Sequence, residues 1–193
     1  MGLKETILEG TLEVFRQKGI KFTMDDIAGK LNISKKTIYT VFDDKEDLFI
    51  AMVDYLFDSI KVSEEQVMKD ESLDTLEKIR RILGVIPESY KNIDFRQLYL
   101  LREKYPATYA KVEERLETGW ESTIALLEKG MAEGVVRKIS IPIVKMMLEA
   151  SLEQFFRRDI LIRNDIGYFA ALDEVVNVIV DGIAVKKGKE VAE

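Results

Sequence analysis

Apolar residues recur along this chain at spacings of three and four positions, and only 3 Pro and 11 Gly interrupt them. This period is typical of amphipathic α-helices and differs from the alternation that indicates strands. The pattern therefore predicts an all-α protein. Its first helix places Ile7, Leu8, Leu12 and Phe15 on one apolar face and ends at Gly19.

Capping residues predict where the next two helices lie. Thr23 is followed three positions later by Asp26, which is an approximate capping box at the start of a short second helix. That helix ends near Asn32, a residue type that tolerates the left-handed conformation. Ser34 is the N-cap of a third helix, over residues 35–42.

A fourth helix links the first three to the remainder of the chain. Asp43 and Asp44 end the third helix and cap the fourth, with Glu46 completing a second box. We expect this linking helix to cover residues 45–63, because apolar residues occupy a wide face over that range. Further helices are predicted over residues 73–86, 94–104, 107 to 130 or 134, 141–157 and 165–185.

The composition limits the chemistry of the chain. It is 47% hydrophobic and 33% charged, with a net charge of −6 and neither Cys nor His. Disulfides, zinc–thiolate sites, imidazole ligands and His-dependent nucleophiles are therefore excluded, and we expect neither a metal, nor a cofactor, nor an enzyme. Charged or polar residues interrupt every long apolar run, so we expect no membrane span and a cytoplasmic protein.

The second and third helices have the spacing of a helix-turn-helix, in which the second helix of the pair enters the major groove of DNA. Between Ile27 and Phe42 there are three lysines and no carboxylate, which gives a local charge of +3. Ile38 and Phe42 lie one helical turn apart and should face inward. The opposite face then presents groups that can reach phosphates or bases: Lys35, Lys36, Thr37, Tyr39 and Thr40. The alternative is that the lysines are an ordinary solvated surface and Tyr39 a half-buried core aromatic.

The same region resembles the amino-terminal signature of the tetracycline-repressor-type (TetR) family of transcriptional regulators over about residues 4–57. The matching residues are Thr23, Ile27-Ala28, Ile33-Ser34, Thr37-Ile38-Tyr39, Phe42, Lys45-Glu46 and Leu48. The resemblance implies a three-helix head that binds double-stranded operator DNA, a helical body that dimerises, and regulation by a small molecule. It also implies DNA contacts for Thr23, Ser34, Lys35, Lys36, Thr37, Tyr39, Thr40 and Lys45.

We accordingly divide the chain into a head over residues 1–45 and an effector-binding and dimerisation body over residues 46–193. The last two long helices carry more apolar surface than one thin layer can cover, so we expect them to form a four-helix interface between two subunits. The interface residues would be Ile143, Met146, Ala150, Phe169, Val176, Ile179, Gly182 and Ile183. The alternative is that both faces are used within one subunit.

Aromatic side chains, one Met and one Arg in the body are the expected wall of an effector pocket: Phe95, Leu98, Tyr99, Arg102, Tyr109, Trp120, Ile124 and Met147. Such a wall favours a lipophilic or aromatic effector, with Arg102 available to a negative group. Each of these residues alone is better explained as ordinary core, so the prediction concerns the group and not its single members.

Two other classes of function compete with a ligand-responsive repressor. A helical enzyme would need paired acids, but the carboxylates of Glu113-Glu114 diverge on a helix and Asp43-Asp44 are explained as caps. An architectural or cell-division DNA-binding protein would use the same fold with a protein partner in place of a small molecule, and fold alone does not separate it from a repressor.

Overall fold

The structure is a computed structural model that describes residues 2–91 and 93–186, so positions 1, 92 and 187–193 of the predicted domains lie outside it. Within this part the chain is all-α, as predicted, with eleven α-helices. The first four are α1 Leu3–Lys18, α2 Met24–Leu31, α3 Lys35–Tyr39 and α4 Lys45–Lys69. The others are α5 Thr75–Leu83, α6 Leu101–Lys104, α7 Pro106–Glu117, α8 Glu121–Ala132, α9 Ile141–Arg157, α10 Ile160–Arg163 and α11 Tyr168–Ile183.

Capping geometry confirms the predicted end of α1 and both predicted ends of α2. Gly19 ends α1 with a φ of 57°. Thr23 Oγ1 accepts a hydrogen bond from the Asp26 N–H, and the Asp26 carboxylate accepts one from the Thr23 N–H at 2.8 Å. Asn32 ends α2 in the left-handed region, with a φ of 54°. Ser34 caps α3, which ends at Tyr39, earlier than the predicted end at Phe42.

The linking helix is longer than predicted. It was expected to end at Ser63, but α4 continues to Lys69 because the Ser63 hydroxyl donates to the Ser59 carbonyl inside the helix instead of capping a new one. Its N-cap is Asp44, whose carboxylate accepts from the Asp47 N–H at 2.9 Å. The predicted box between Asp43 and Glu46 is not formed, because the Glu46 carboxylate accepts hydrogen bonds from the N–H groups of Ala107 and Thr108 instead.

The body departs most from the prediction between residues 107 and 134. One helix was expected there, but Gly119, with a φ of 76°, separates α7 from α8. A second difference lies in residues 95–100, which form a 3₁₀-helix that leads into α6. Both differences change which side chains face the interior, because a 3₁₀-helix repeats every three residues and a break resets the helical phase.

Contacts between helices build the body core. The pairs with extensive contacts include α4 with α7, α5 with α8, and α9 with α11. Within the described residues, no helix is long and apolar enough to cross a membrane, and no group of three or more acidic, His or Cys side chains is arranged to hold a metal ion.

Candidate functional site

The exposed face of α3 has the orientation expected for reading DNA. Ile38 is fully buried and Phe42 is 2% exposed, so the inward pair anchors the helix. Lys35, Lys36 and Tyr39 lie on the opposite, exposed face, and Tyr39 is 45% exposed despite its aromatic ring. Tyr39 is therefore not the half-buried core aromatic of the alternative reading, and it is available to a partner.

Neighbouring helices neutralise much of the local positive charge that the sequence showed. Lys35 forms an ion pair with Asp25 of α2 at 2.8 Å, and Lys30 forms one with Glu13 of α1. The expected charge of +3 is thus reduced by two carboxylates that lie outside the stretch counted. Lys36 is exposed and forms no ion pair within the described part of the chain, which leaves it as the free cation of α3.

The hydroxyl groups that were predicted to contact DNA form hydrogen bonds within the head. Thr23 Oγ1 donates to the Asp26 carboxylate at 2.9 Å, and Thr40 Oγ1 donates to the Thr37 carbonyl at 2.6 Å. Ser34 and Thr37 share one hydrogen bond of 2.8 Å between their hydroxyls. A hydroxyl has one hydrogen to donate. Thr23 and Thr40 must therefore release an internal acceptor before they can donate to a phosphate.

Lys45 lies against the head and is half-buried, whereas the resemblance implied a DNA contact. Its ammonium donates to the carbonyls of Ile20, at 2.8 Å, and Phe22. It also lies 4.3 Å from the centre of the Phe22 ring and 5.4 Å from that of Tyr105. Burial lowers the pKa of Lys45, and the nearby charge of Lys104 lowers it further. Of its three N–H groups, one is left for a ligand.

The body contains a cavity of about 190 Å³ between α4, α7, α9 and the segment before α6. Most of its wall is apolar, including Met52, Leu56, Phe57, Ile60, Ile82, Ile86, Ile93, Val112, Leu116, Leu148, Leu152 and Leu172. Tyr90 and Thr108 contribute buried hydroxyls without a hydrogen-bond partner in the described residues. The cavity can therefore take an apolar molecule and satisfy an oxygen on it.

Three of the eight predicted pocket residues line this cavity: Phe95, Leu98 and Trp120. Leu101 joins the first two, and the spacing of three follows the 3₁₀-helix. The other five predicted residues do not line this cavity: Tyr99, Arg102, Tyr109, Ile124 and Met147. An α-helical period would have turned Tyr99 and Arg102 inward, but residues 95–100 form a 3₁₀-helix. The break at Gly119 changes which helical face Ile124 occupies. Met147 lies on the outer face of α9.

The cations of the cavity wall are already paired. Lys61 bonds both carboxylate oxygens of Glu64, at 2.8 and 2.9 Å, and also the Gly119 carbonyl. Arg115 bonds Asp54 at 3.0 Å and Asp58 at 2.7 Å. The pair of Lys61 and Glu64 could have been predicted from the sequence, because a base and an acid three residues apart on one helix are neighbours. The expected cation for a negative ligand, Arg102, is exposed outside the cavity.

The residues that were predicted to form the subunit interface differ in their exposure. Ile143, Met146, Ala150 and Gly182 are exposed on α9 and α11, and Phe169 is partly buried. Val176, Ile179 and Ile183 are instead packed inside their own chain, at 1%, 6% and 3% exposure, so they are not free for a partner. The exposed apolar residue of α11 that the sequence analysis missed is Val178, at 63% exposure.

Comparison with known proteins finds similar sequences among transcriptional regulators. Residues 7–52 match the sequence profile of bacterial regulatory proteins of the tetR family. The chain is 25% identical over 181 residues to the uncharacterized HTH-type transcriptional regulator YvaF of Bacillus subtilis, covering 94% of this chain and 95% of that protein.

Solved structures share the whole fold. A TetR transcription regulator from Haloarcula marismortui superposes with a TM-score of 0.71 at 18% identity, over 94% of this chain and 98% of that one. The regulator FadR from Bacillus subtilis, solved in complex with stearoyl-CoA, superposes with a TM-score of 0.59 at 18% identity, over 93% and 98% of the two chains. At this level of identity the likeness shows a common fold.

Proposed function

We propose that the chain is a homodimeric repressor of the TetR family that leaves a palindromic operator when a lipophilic small molecule enters the body cavity. The match of residues 7–52 to the tetR-family profile and the 25% identity to a transcriptional regulator over 181 residues support this proposal. The exposed face of α3 is the observation that carries DNA binding: Tyr39 is exposed, and Lys36 forms no ion pair among the residues that the structure describes. The relatives are named as regulators, which does not favour an architectural protein.

The exposed residues of α9 and α11 support the dimer. Ile143, Met146 and Met147 are spaced as one face of α9, and each is about half exposed. Val178 is a further exposed apolar residue on α11, which packs against α9, and exposed apolar residues that cluster mark protein interfaces. Two such helix pairs related by a two-fold axis make a four-helix interface. The two α3 helices then enter major grooves about 34–36 Å apart, or a multiple of one turn.

The cavity supports a lipophilic effector. Its wall is largely apolar, and its two cations, Lys61 and Arg115, are neutralised by neighbouring carboxylates. An ionic group would find no free counter-charge there, so the part of the effector inside the cavity is uncharged. Tyr90 and Thr108 supply hydroxyls for an oxygen on it. The stearoyl chain of the stearoyl-CoA in the FadR structure has the same apolar character.

The test starts from an operator duplex that the protein selects from a random-sequence library. Fatty alcohols, fatty acids and acyl-CoAs of matched chain length are titrated while operator anisotropy and Trp120 fluorescence are recorded, since Trp120 lines the cavity. We expect an effector to weaken operator binding by roughly 5- to 150-fold, the usual scale of coupling. Operator DNA must weaken effector binding by the same factor.

Filling the cavity provides the matched control. Leu152→Trp takes up space in the wall, whereas Ile162→Trp adds the same ring on the exposed surface. We expect the first variant to bind operator without responding to the lipophile and the second to respond as the wild type does. If operator affinity changes with a protein partner and with none of the lipophiles, the repressor proposal is wrong and the architectural one replaces it.

A further inference from the structure

A cleft between the head and the body is lined by four lysines that come from four separate elements. Lys21 follows α1, Lys35 lies on α3, Lys45 begins α4 and Lys104 ends α6. Thr23, Tyr39 and Tyr105 also line it, and its one acidic side chain is Asp25. The body segment around Lys104 therefore shares a wall with the DNA-reading helix.

Two of these lysines carry charges that nothing in the described residues neutralises. Lys35 is paired with Asp25, and Lys45 gives two N–H groups to backbone carbonyls. The side chains of Lys21 and Lys104 are exposed, and their ammonium groups form neither ion pairs nor hydrogen bonds within the described part of the chain. Lys104 is also close enough to Lys45 to disfavour its charged form. Like charges gathered in a cleft raise its potential and attract a polyanion.

We propose that Lys104, together with Lys21, contacts the phosphate backbone of the operator, so that the body as well as the head binds DNA. This rests on the proposed function, because it requires the α3 face to lie against a duplex. Lys35 and Tyr39 then border the major groove, and the cleft they share with Lys104 faces the adjoining backbone. A long, flexible ammonium side chain suits a point contact to phosphate.

The position of Lys104 also connects this contact to the cavity. Leu101, at the other end of α6, is 3% exposed and lines the cavity. The two residues are three positions apart, or about 4.5 Å along a helix axis. After Lys104 comes Tyr105, whose ring packs on Phe49 of the linking helix at 4.8 Å between centroids. A molecule that displaces Leu101 therefore displaces Lys104 from the phosphate.

The salt dependence of DNA binding tests the assignment. The full-length protein is titrated with its selected operator and with a random-sequence duplex, between about 50 and 200 mM salt. Each phosphate contact contributes about 0.9 to the slope of log affinity against log salt. We expect Lys104→Ala to lower the slope by about 0.9 for each subunit, equally on both duplexes, because phosphate contacts carry no sequence information.

Three variants make the result specific. Lys138→Ala removes the same charge from an exposed residue in the loop between α8 and α9, outside the cleft, and should leave the slope unchanged. Lys104→Arg should restore the slope, and Lys104→Gln should repeat the loss. If the slope for Lys104→Ala equals that for Lys138→Ala, the inference is wrong. The proposed function still stands in that case, provided that the wild type binds the operator. A loss confined to the operator also overturns the inference, since that indicates base readout, and a wild type that binds neither duplex overturns both.

Discussion

Replacing Glu46 should weaken the contact between α4 and α7 at a measurable cost in stability. Glu46 lies in the first turn of α4, and its carboxylate accepts hydrogen bonds from the backbone N–H groups of Ala107, at 2.8 Å, and Thr108, at 3.3 Å. These N–H groups belong to the first turn of α7, whose own N-cap, Tyr105, provides no side-chain cap. A residue 61 positions away in sequence thus caps α7.

The expected size of the effect follows from this geometry. The bond to Ala107 has an ordinary length, and the bond to Thr108 is slightly long. A hydrogen bond to a charged group contributes about 1.5–3 kcal/mol, and this site is exposed enough for the lower end. A negative charge at a helix N-terminus adds about 0.3–1 kcal/mol. We therefore expect Glu46→Ala to lower the free energy of unfolding by about 2 kcal/mol.

Two further variants separate the causes. Glu46→Gln keeps an acceptor oxygen and loses only the charge, so it should cost about 0.5–1 kcal/mol. Glu65→Ala removes an acid from the same helix whose partner, Lys69, is at 3.1 Å with both side chains exposed, and it should cost less than about 0.5 kcal/mol. Urea denaturation at one fixed protein concentration measures all three, because the stability of a dimer depends on concentration.

Thermal unfolding and amide exchange provide independent readouts. For a chain of this length about 2 kcal/mol corresponds to a fall in Tm of about 4–8 °C. The amides of Ala107 and Thr108 should exchange faster in Glu46→Ala, since they lose their acceptor. A variant within about 0.5 kcal/mol of the wild type, with unchanged exchange at these two amides, would show that Glu46 does not cap α7.

Two other predictions concern assembly and acid stability. Val178→Asp places a charge on the exposed face of α11 and should give monomers by light scattering with weak operator binding; the same change at Ile179 would destabilise the subunit itself, because that side chain is buried. A Val178→Asp protein that stays dimeric refutes this position for the interface. The ammonium of Lys18, and then hydrogen bonds from Thr23, lower the pKa of Asp26 to about 2 from 3.8. Its stabilising effect is therefore present above about pH 4 and is lost as the pH falls through about 2. In urea titrations the deficit of Asp26→Asn relative to the wild type should be largest near neutral pH and should disappear toward pH 2.

The head could be predicted closely because its boundaries are local. The box of Thr23 and Asp26 and the left-handed Asn32 involve residues within a few positions of each other, so the sequence contains every group that takes part. The inward orientation of Ile38 and Phe42 follows from the helical period alone. Where the prediction ended α3 too late, no capping residue marked the end, and Thr40 closes the helix with an ordinary backbone bond.

The body could not be predicted in the same way, because its decisive contacts are distant in sequence. Arg115 pairs with Asp54, and Arg80 with Asp181, across intervals that no local pattern reveals. The pocket residues were chosen on the assumption of α-helical geometry through residues 95–104 and across Gly119. A mid-helix glycine was a visible sign of the break at residue 119. The 3₁₀ period of Phe95, Leu98 and Leu101 was visible only as a spacing of three.

The burial of Val176, Ile179 and Ile183 shows a limit of another kind. Apolar residues on a helix predict that it is covered but do not say by what. In α11 one side of the helix packs within the chain, and Val178 remains on the opposite side. A period of 3.6 residues places position 178 well away from positions 176, 179 and 183, so the sequence contained the two faces. The choice between inside and interface depended on the position of α5 and α9.

The first turn of α4 is where a change in the body can reach the head. Lys45 binds the head through the carbonyls of Ile20 and Phe22, and the next residue, Glu46, binds the body through α7. α7 contributes Thr108, Val112 and Leu116 to the cavity wall. A molecule bound in the cavity would therefore contact the helix that Glu46 caps. A coupling of about 1–3 kcal/mol is usual between an effector and DNA. The hydrogen bonds of Glu46 have about this strength, so weakening one such contact in one of the two states would be sufficient for the proposed release from DNA.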